Sequence, residues 1–526
     1  MEALFSAILG ELAARSLSFL IDRCSSSASP PPPPSKEEKI QRLERMLLRL
    51  AVAVEDAEGR CITSRAMLRQ LNMLRRDMHR GYYLLDTFRL QQADEDDDKV
   101  SCDTLALSKF NPAKRVRVPV GSSRRAGEGE LEQVLHSLEI AMADMVEFVL
   151  LLNNYPCIHR QPYSTYLFMD RCMFGRQMEM EHVINFLLHP ESPNSYNVGV
   201  LPIIGAAKVG KSTLVEHVCC DDRVRSHFSR IIFLSDSDFS EGTSLLNLSD
   251  SGVIRHKHSS SSASSGGERL LVVVELAEDT DGDGWRKMYS SSQSCIPTRT
   301  KIIVTSRSDK IANLGTTQPL HLKFLSREAY WYFFKVLAFG SSDPEEHPKV
   351  ASISMAMFNL YFDHEMHNNF IGPFIDLNNM ANMIQQATVH EGNYLSLREC
   401  IRYYFLHRRG GGSIDSEPRR KCVFVPRKDE NERYYCEVYN HCRVRLAHEE
   451  EEEEDDDPRI DFKDVLSGRV APHGRFDAVV WRSHLPPYYN YICSCEIHKY
   501  KSLATCRMEL RQKRKVQAPL KMSSLN

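Results

Sequence analysis

Apolar side chains recur every three to four positions through the first part of the chain, which predicts amphipathic helices across residues 1–152. Leu4, Ile8, Leu12 and Phe19 form one stripe, and Leu43, Leu47, Leu50 and Val54 form a second inside a segment from Lys39 to Glu58. A third segment, from Ser64 to about Leu90, carries Met67, Leu71, Leu74, Met78, Tyr82 and Leu85 on its buried side. The fourth, 130–152, has Leu135, Ile140, Met145, Phe148 and Leu152 and is apolar beyond one face, so it should touch a neighbour as well as close a bundle. The Pro30–Pro34 run and the acidic patch Asp94–Asp98 read as loops, because rings without an N–H and adjacent like charges both oppose regular structure.

From about Gly175 the pattern changes to short β-branched runs alternating with helical segments, as an α/β domain requires. The runs VGVLPII, RIIFLS, RLLVVVEL and KIIVTS, each bounded by polar or Gly-rich residues, read as strands. Between the second and third lies GVIRHKHSSSSASSGGE, whose serine content reads as an insertion in a surface loop. Helical segments follow at EAYWYFFKVLAF, ASISMAMFNLYF and IDLNNMANMIQQA, and Arg408–Pro418 reads as a linker. Residues 421–498 then read as a small β-rich module with strands CVFVP, RYYCEVY, CRVRLA, FDAVVW and NYICSCEI, interrupted by a solvated acidic loop, Glu449–Asp457. The expected organisation is therefore a helical domain at 1–152, a phosphate-loop α/β domain at 153–340, a helical subdomain at 341–408, the β module at 421–498 and a basic tail at 499–526.

Composition narrows the class of partner. With 526 residues the chain exceeds one compact domain, and a net charge of -3 with 42% apolar residues carries no global bias toward nucleic acid or membrane. No apolar run is long enough to span a bilayer, and the N-terminal stretch, broken by Glu11, Arg15 and Asp22, reads as an amphipathic helix rather than a signal peptide. The 15 cysteines follow no disulfide framework. Cys493, Cys495 and His498 lack a second ligand pair at metal-site spacing, so no metal centre is expected there. The cluster Lys114, Arg115, Arg117, Arg124 and Arg125 lacks interleaved aromatic residues for base stacking. Lys513, Arg514 and Lys515 form a solvated basic tail whose alternative reading is a nuclear-import signal.

The strongest chemistry lies at 201–215, LPIIGAAKVGKSTLV. An apolar strand feeds a turn from Gly205 to Gly210, followed by Lys211, Ser212 and Thr213 at the start of a helix, which is the spacing of a phosphate-binding loop. Converging backbone N–H groups of Gly205, Ala206, Ala207, Lys208, Val209 and Gly210, with the positive helix end, suit a phosphate chain. Lys211 would reach the β- and γ-phosphates, and Ser212 would hold Mg²⁺. Glu275, in a strand-to-helix connection beside Glu278 and Asp279, is the candidate catalytic base, and His217 reads as a packing or surface residue.

Taken in order, these segments resemble a plant intracellular immune receptor of the coiled-coil, nucleotide-binding, leucine-rich-repeat type. Residues 1–152 resemble an Rx-type N-terminal helical domain in MEALFSAILGELAARSLSFL and MLRRDMHRGYYLLDTFR. FGRQMEMEHVINFLL is similar to the segment that opens the nucleotide-binding NB-ARC domain, the phosphate loop matches at Gly205, Val209, Gly210, Lys211 and Thr213, and TKIIVTSR resembles the strand ending in a phosphate-sensing arginine, here Arg307. The resemblance implies a multidomain α and α/β fold, with an N-terminal helical bundle and a P-loop NTPase-like parallel sheet. It also implies bound ADP or ATP, defence-protein partners held through the N-terminal helices, self-association and a cytoplasmic or nuclear location.

The departures shape the expected mechanism. Ala207 and Lys208 stand where the family has glycine, and non-Gly residues restrict backbone approach to phosphate. The acidic strand usually ends in two adjacent acids, and RLLVVVELAED offers Val274 then Glu275, so hydrolysis needs Glu275 to substitute by a one-residue shift. The GLPL motif is reduced to Gly372, Pro373 and Phe374, no methionine-histidine-aspartate motif is found, MHN at Met366–Asn368 comes too early, and leucine-rich repeats are absent. Three functions follow: a nucleotide-binding signalling or adaptor protein with weak or no hydrolysis, an active P-loop ATPase switch, or a nucleotide-free scaffold or decoy.

Overall fold

The computed structural model describes residues 34–104, 127–156, 174–189, 198–235, 253–257, 269–276, 300–340, 342–364, 372–389, 420–425, 434–446, 460–466, 469–482 and 489–499. The stripe from Leu4 to Phe19, the Lys114–Arg125 cluster, the Arg408–Pro418 linker, the Glu449–Asp457 run and the basic tail lie outside these residues. Two compact units divide the chain: Met1–Ser342 with Phe358–Phe362, and Asp343–Met357 with Asp363–Asn526.

In the first unit α1 (Lys36–Glu58) opens on a capping box, in which Ser35 Oγ accepts from the Glu38 N–H and the Glu38 carboxylate accepts from the Ser35 N–H. Its expected stripe, Leu43, Leu47, Leu50 and Val54, is buried. α2 (Arg65–Thr104) runs antiparallel to α1, as Arg75–Glu58 and Arg89–Glu44 ion pairs show, and α3 (Glu128–Leu152) runs parallel to it, with Lys39 bound to Glu132 and Arg42 to Glu139. One core joins the three, from Leu43 and Leu71 to Phe148 and Leu152. Ile140, Leu150 and Leu151 stay exposed at 52%, 52% and 42%, so α3 is apolar beyond its buried face. The Asp94–Asp98 patch, expected as a loop, continues α2: once a helix is nucleated, each further residue adds a hydrogen bond without a new nucleation penalty.

The α/β part begins with α4 (Gln177–Leu188) and β1 (Gly199–Gly205), followed by α5 (Lys211–Cys220), α6 (Asp222–His227), β2 (Arg230–Ser235), β3 (Val253–Lys257), β4 (Leu270–Glu275), β5 (Thr300–Ser306) and β6 (Leu320–Leu322). These strands form one sheet in the order β3-β2-β4-β5-β1-β6, parallel except for β3. β1, β2, β4 and β5 carry buried side chains on both faces, which is why they read as continuous apolar runs. Leu201, Ile203, Leu271, Val273 and Ile303 face α4 and α5, and Val200, Ile204, Val272, Val274 and Ile302 face the opposite way with Ile311. The sequence placed VIRHK in the serine-rich insertion and LHL with the following helix; both are edge strands here.

α7 (Arg327–Phe339), capped by Ser326 Oγ on the Ala329 N–H, buries Tyr330, Trp331, Phe333 and Phe334. α2 lies against it. Asp86 accepts 2.8 Å from the Trp331 indole and 2.9 Å from Lys335, while His79 lies 4.7 Å from the Tyr332 ring and 5.7 Å from Phe174, centroid to centroid. Asn359 accepts from both Tyr83 and Arg327 in the same joint.

The second unit holds α9 (Pro373–Val389), which follows α8 (Pro348–His364), and a five-stranded sheet of β7 (Arg420–Val425), β8 (Tyr434–Leu446), β9 (Ile460–Asp461), β10 (Arg475–Arg482) and β11 (Tyr489–Lys499), ordered β7-β8-β11-β10-β9. RYYCEVY and CRVRLA, expected as two strands, form the single β8. A short helix, α10 (Phe462–Leu466), packs on the sheet through Phe462 and Val465. Cys493 and Cys495 are core residues there, and His498 has the opposite strand parity, so the three side chains do not converge. No metal-ligating group of three is found among the described residues.

Candidate phosphate-binding site

β1 carries the chain to Gly205, where a Cβ would sit 2.6 Å from the Leu322 carbonyl oxygen, so β6 approaches too closely for any side chain. The turn then passes Lys208 at φ 63° and Gly210 at φ 96°, both left-handed, with the intervening Val209 buried. Alternating handedness of this kind aims successive N–H groups into one concavity. α5 starts at Lys211, and no side chain caps its first turn, so those N–H groups face the turn as donors beside the positive helix end.

Lys211 is only 9% exposed, and its ammonium donates to the Gly205 carbonyl at 2.7 Å and the Ala206 carbonyl at 2.9 Å. The cation thus ties the turn to the end of β1. Ser212 Oγ donates to Glu275 Oε1 at 3.0 Å, bringing the loop and the acidic strand together, whereas Thr213 is exposed.

Strand parity separates Val274 from Glu275. Val274, read from sequence as standing where the metal-organising acid belongs, is fully buried on the sheet face away from α5. Glu275 shares its parity with Leu271 and Val273, on the α5 side, and is the residue that meets Ser212. Leu276, which follows, is 4% exposed and donates its N–H to the Thr305 carbonyl. The strand end therefore presents one carboxylate to the loop.

β5 lies between β1 and β4, and Arg307 is its first residue beyond Ser306, which pairs in register with Ile204. Arg307 is exposed at the same carboxyl edge of the sheet as the loop, where ligands of open α/β sheets gather. Sequence reasoning missed Arg176, a buried guanidinium that donates to the Lys323 carbonyl and to Glu179, fastening the start of α4 to the chain beyond β6. Its only sequence signal is a basic residue just before an apolar helix. His217, further along α5, is held neutral: burial pulls its pKa down to about 4.

Residues 176–343 match the family described as the NB-ARC domain, starting at Arg176 and spanning every element from α4 through α7. The chain carries an NB-ARC domain. The chain is 23% identical over 333 residues to "Disease resistance protein RGA2" of Solanum bulbocastanum, covering 60% of this chain and 32% of that protein. It is also 24% identical over 327 residues to "Putative disease resistance RPP13-like protein 1" of Arabidopsis thaliana, covering 59% and 30%. These matches span about a third of the length of either relative. A solved structure, "Structure of Drosophila ORC bound to DNA", overlaps 45% of this chain and 63% of its own at a TM-score of 0.21 and 13% identity, too distant to bear on the NB-ARC domain's fold. The matched stretches of 333 and 327 residues are longer than the NB-ARC match, and both relatives extend well beyond them. Among the described residues, no helix is long and apolar enough to cross a membrane.

Proposed function

We propose that this protein is a nucleotide-binding signalling or adaptor component of plant defence that binds ADP or ATP at Gly205–Thr213 and hydrolyses it slowly or not at all. The observation that carries this reading is the joined set of Lys211, held under the turn by two carbonyls, and Ser212, hydrogen-bonded to Glu275. The residues fit the group: left-handed Lys208 and Gly210 shape an N–H cradle, and the Ser212 hydroxyl and Glu275 carboxylate are hard oxygen donors of the kind Mg²⁺ selects. A bound nucleotide would supply negative charge for Lys211 and the cradle, and Arg307 at the same sheet edge would sense its terminal phosphate.

Hydrolysis needs a base to orient a water in addition to an acid beside the metal. Glu275 is engaged with Ser212, and Leu276 cannot act as a base, which supports binding over turnover. The active ATPase reading rests on Glu275 serving both roles, and the scaffold reading rests on Ala207 and Lys208 narrowing the cradle. Residues 1–152 act in this proposal as a docking module for defence proteins or a second copy of the chain, with 341–408 as a degenerate ARC-like helical subdomain. The protein works in the cytoplasm.

The test is nucleotide carried by the purified full chain, released by denaturation and identified, together with calorimetry of ADP against wild type and Lys211→Ala. We expect bound adenine nucleotide and its loss in the variant, because the variant removes the cation under the β-phosphate. Equal ADP affinities in the two proteins would refute the assignment.

A further inference from the structure

Five arginines and a single acid, Asp77, fall between Arg65 and Arg80 of α2. Arg75 is buried against Glu58, and the other four, Arg65, Arg69, Arg76 and Arg80, follow at steps of four, seven and four residues, which returns them to one side of the helix. At 1.5 Å per residue they form a row about 22 Å long. Arg65, Arg69 and Arg76 are exposed, the last with 70% of its side chain in water, and Arg80 is half-buried. Arg76 lies 3.7 Å from Asp77, and the other three make no ion pair among the described residues.

Four acids on the flanking helices are already engaged. Asp56 and Glu58 at the end of α1 hold Arg60 and Arg75. Glu179 and Glu181 of α4, the helix that meets α2 where Asn72 donates to Met178, hold Arg176 and Arg223. Four guanidiniums against the one carboxylate of Asp77 leave a surplus of positive charge along the row, and such a surface attracts an anionic partner. A bilayer requires an apolar face to enter, and that of α2 is committed to the core with α1 and α3, leaving Met73 exposed beside the arginines. Nucleic acid requires rings on which bases stack, and no Phe, Tyr or Trp lies between Arg65 and Arg80.

The chain itself encodes the complement. Glu449–Asp457 is a run of consecutive acids in the segment that joins β8 to β9, and a run of that length spans about 30 Å when extended. Its carboxylates repel one another, and a row of guanidiniums relieves that repulsion through charge-assisted hydrogen bonds. We propose that the arginine row of α2 receives the acidic run Glu449–Asp457 of a second copy of this chain. Each copy carries both halves, so two copies exchange them reciprocally and close a dimer with two equivalent contacts. One exposed ion pair adds little; the network along the row and its repetition by symmetry hold the copies together. This rests on the reading of residues 1–152 as a docking module, and it names one partner and one face for it.

Sedimentation velocity of the full chain over a concentration series tests this. Wild type should dimerise at about 50 mM NaCl, with a dissociation constant at least about tenfold higher at about 500 mM, where exposed charges are screened. Arg69→Glu with Arg76→Glu should weaken the dimer at least about tenfold at the lower salt, and so should Glu451→Gln, Glu452→Gln, Glu453→Gln and Glu454→Gln made together. Mixing the two variants should restore association, because one still carries the acids and the other the arginine row. Urea midpoints matching wild type show that folding is intact; if the charge reversal fails to fold, Arg69→Gln with Arg76→Gln takes its place. A monomeric wild type at the lower salt, a dimer indifferent to salt and to both variants, or a dimer lost in the arginine variant alone overturns the proposal. Wild type that stays monomeric yet binds phosphatidylserine vesicles or single-stranded DNA through these arginines also overturns it, and gives the row to membrane or nucleic acid. Each of these results leaves docking of a different protein on residues 1–152 standing.

Discussion

His79 gives the joint between α2 and α7 a measurable pH signature. The ring is 4% exposed, lies between Phe174 and Tyr332, and its Nε2 has no hydrogen-bond partner. Burial, helped by the positive charge of Arg75, lowers its pKa from 6.5 to about 3. Between those values the unfolded chain binds a proton that the folded chain refuses, so folding stability declines as the pH drops below 6.5 and levels off only below about 3. From pH 7 to pH 5 the loss from this one group is about 2 kcal/mol. Phenylalanine in its place keeps the ring stack, discards the unpartnered nitrogen and removes the proton linkage. His217, at about 4, contributes in the same direction and is present in both proteins, so the difference between them isolates His79. Urea unfolding of the full chain, followed by tryptophan fluorescence at the two pH values, should show wild type losing about 2 kcal/mol more than His79→Phe. Equal losses would mean that His79 is solvated or paired and that the joint is looser than described.

Three further substitutions test separate parts of the molecule. Asp86→Ala strands the Lys335 ammonium and the Trp331 indole in a largely buried joint and should destabilise the first unit by about 2–3 kcal/mol in the same urea assay; a change under about 0.5 kcal/mol would mean that water substitutes for the carboxylate. Glu275→Gln should abolish the Mg²⁺-dependent part of ATP affinity while leaving ADP binding in EDTA intact, and steady turnover in wild type that vanishes in this variant would move the protein into the ATPase class. Gly205→Ala should remove nucleotide binding altogether, since its methyl group would meet the Leu322 carbonyl 2.6 Å away; unchanged calorimetric affinity would show that β6 can retreat.

What sequence reveals here divides along physical lines. β1, β2, β4 and β5 are legible because a strand covered on both faces is continuously apolar, and the loop is legible because its glycines and lysine are adjacent along the chain. β3 hides in a serine-rich stretch because VIRHK has no apolar pattern of its own and its formation depends on antiparallel pairing with β2. β8 reads as two strands because Asn440 and His441 interrupt its apolar pattern, and β11, which pairs on both sides of them, supplies the continuity. The Val274–Glu275 ambiguity is one of parity: counting residues to a motif cannot tell which face of a sheet a side chain takes, and the contact with Ser212 can. Ser212 and Glu275 are 63 residues apart, and no periodicity links them.

The joint of α2 on α7 also decides where this protein can be cut. A protease site or a gene boundary placed after Leu152 follows the sequence domains, yet it would strip the carboxylate of Asp86 from Trp331 and Lys335 and lay bare the ring of Tyr332, whose hydroxyl burial already drives well above its ordinary pKa. The fragment left behind would begin life with an aromatic scar on the helix that closes the NB-ARC domain, and its stickiness in a pull-down would measure the wound rather than a partner. Excision experiments on this chain therefore need α7 repaired by polar substitutions at Trp331 and Tyr332, or the joint left whole and the exposed side chains of α3 altered in place.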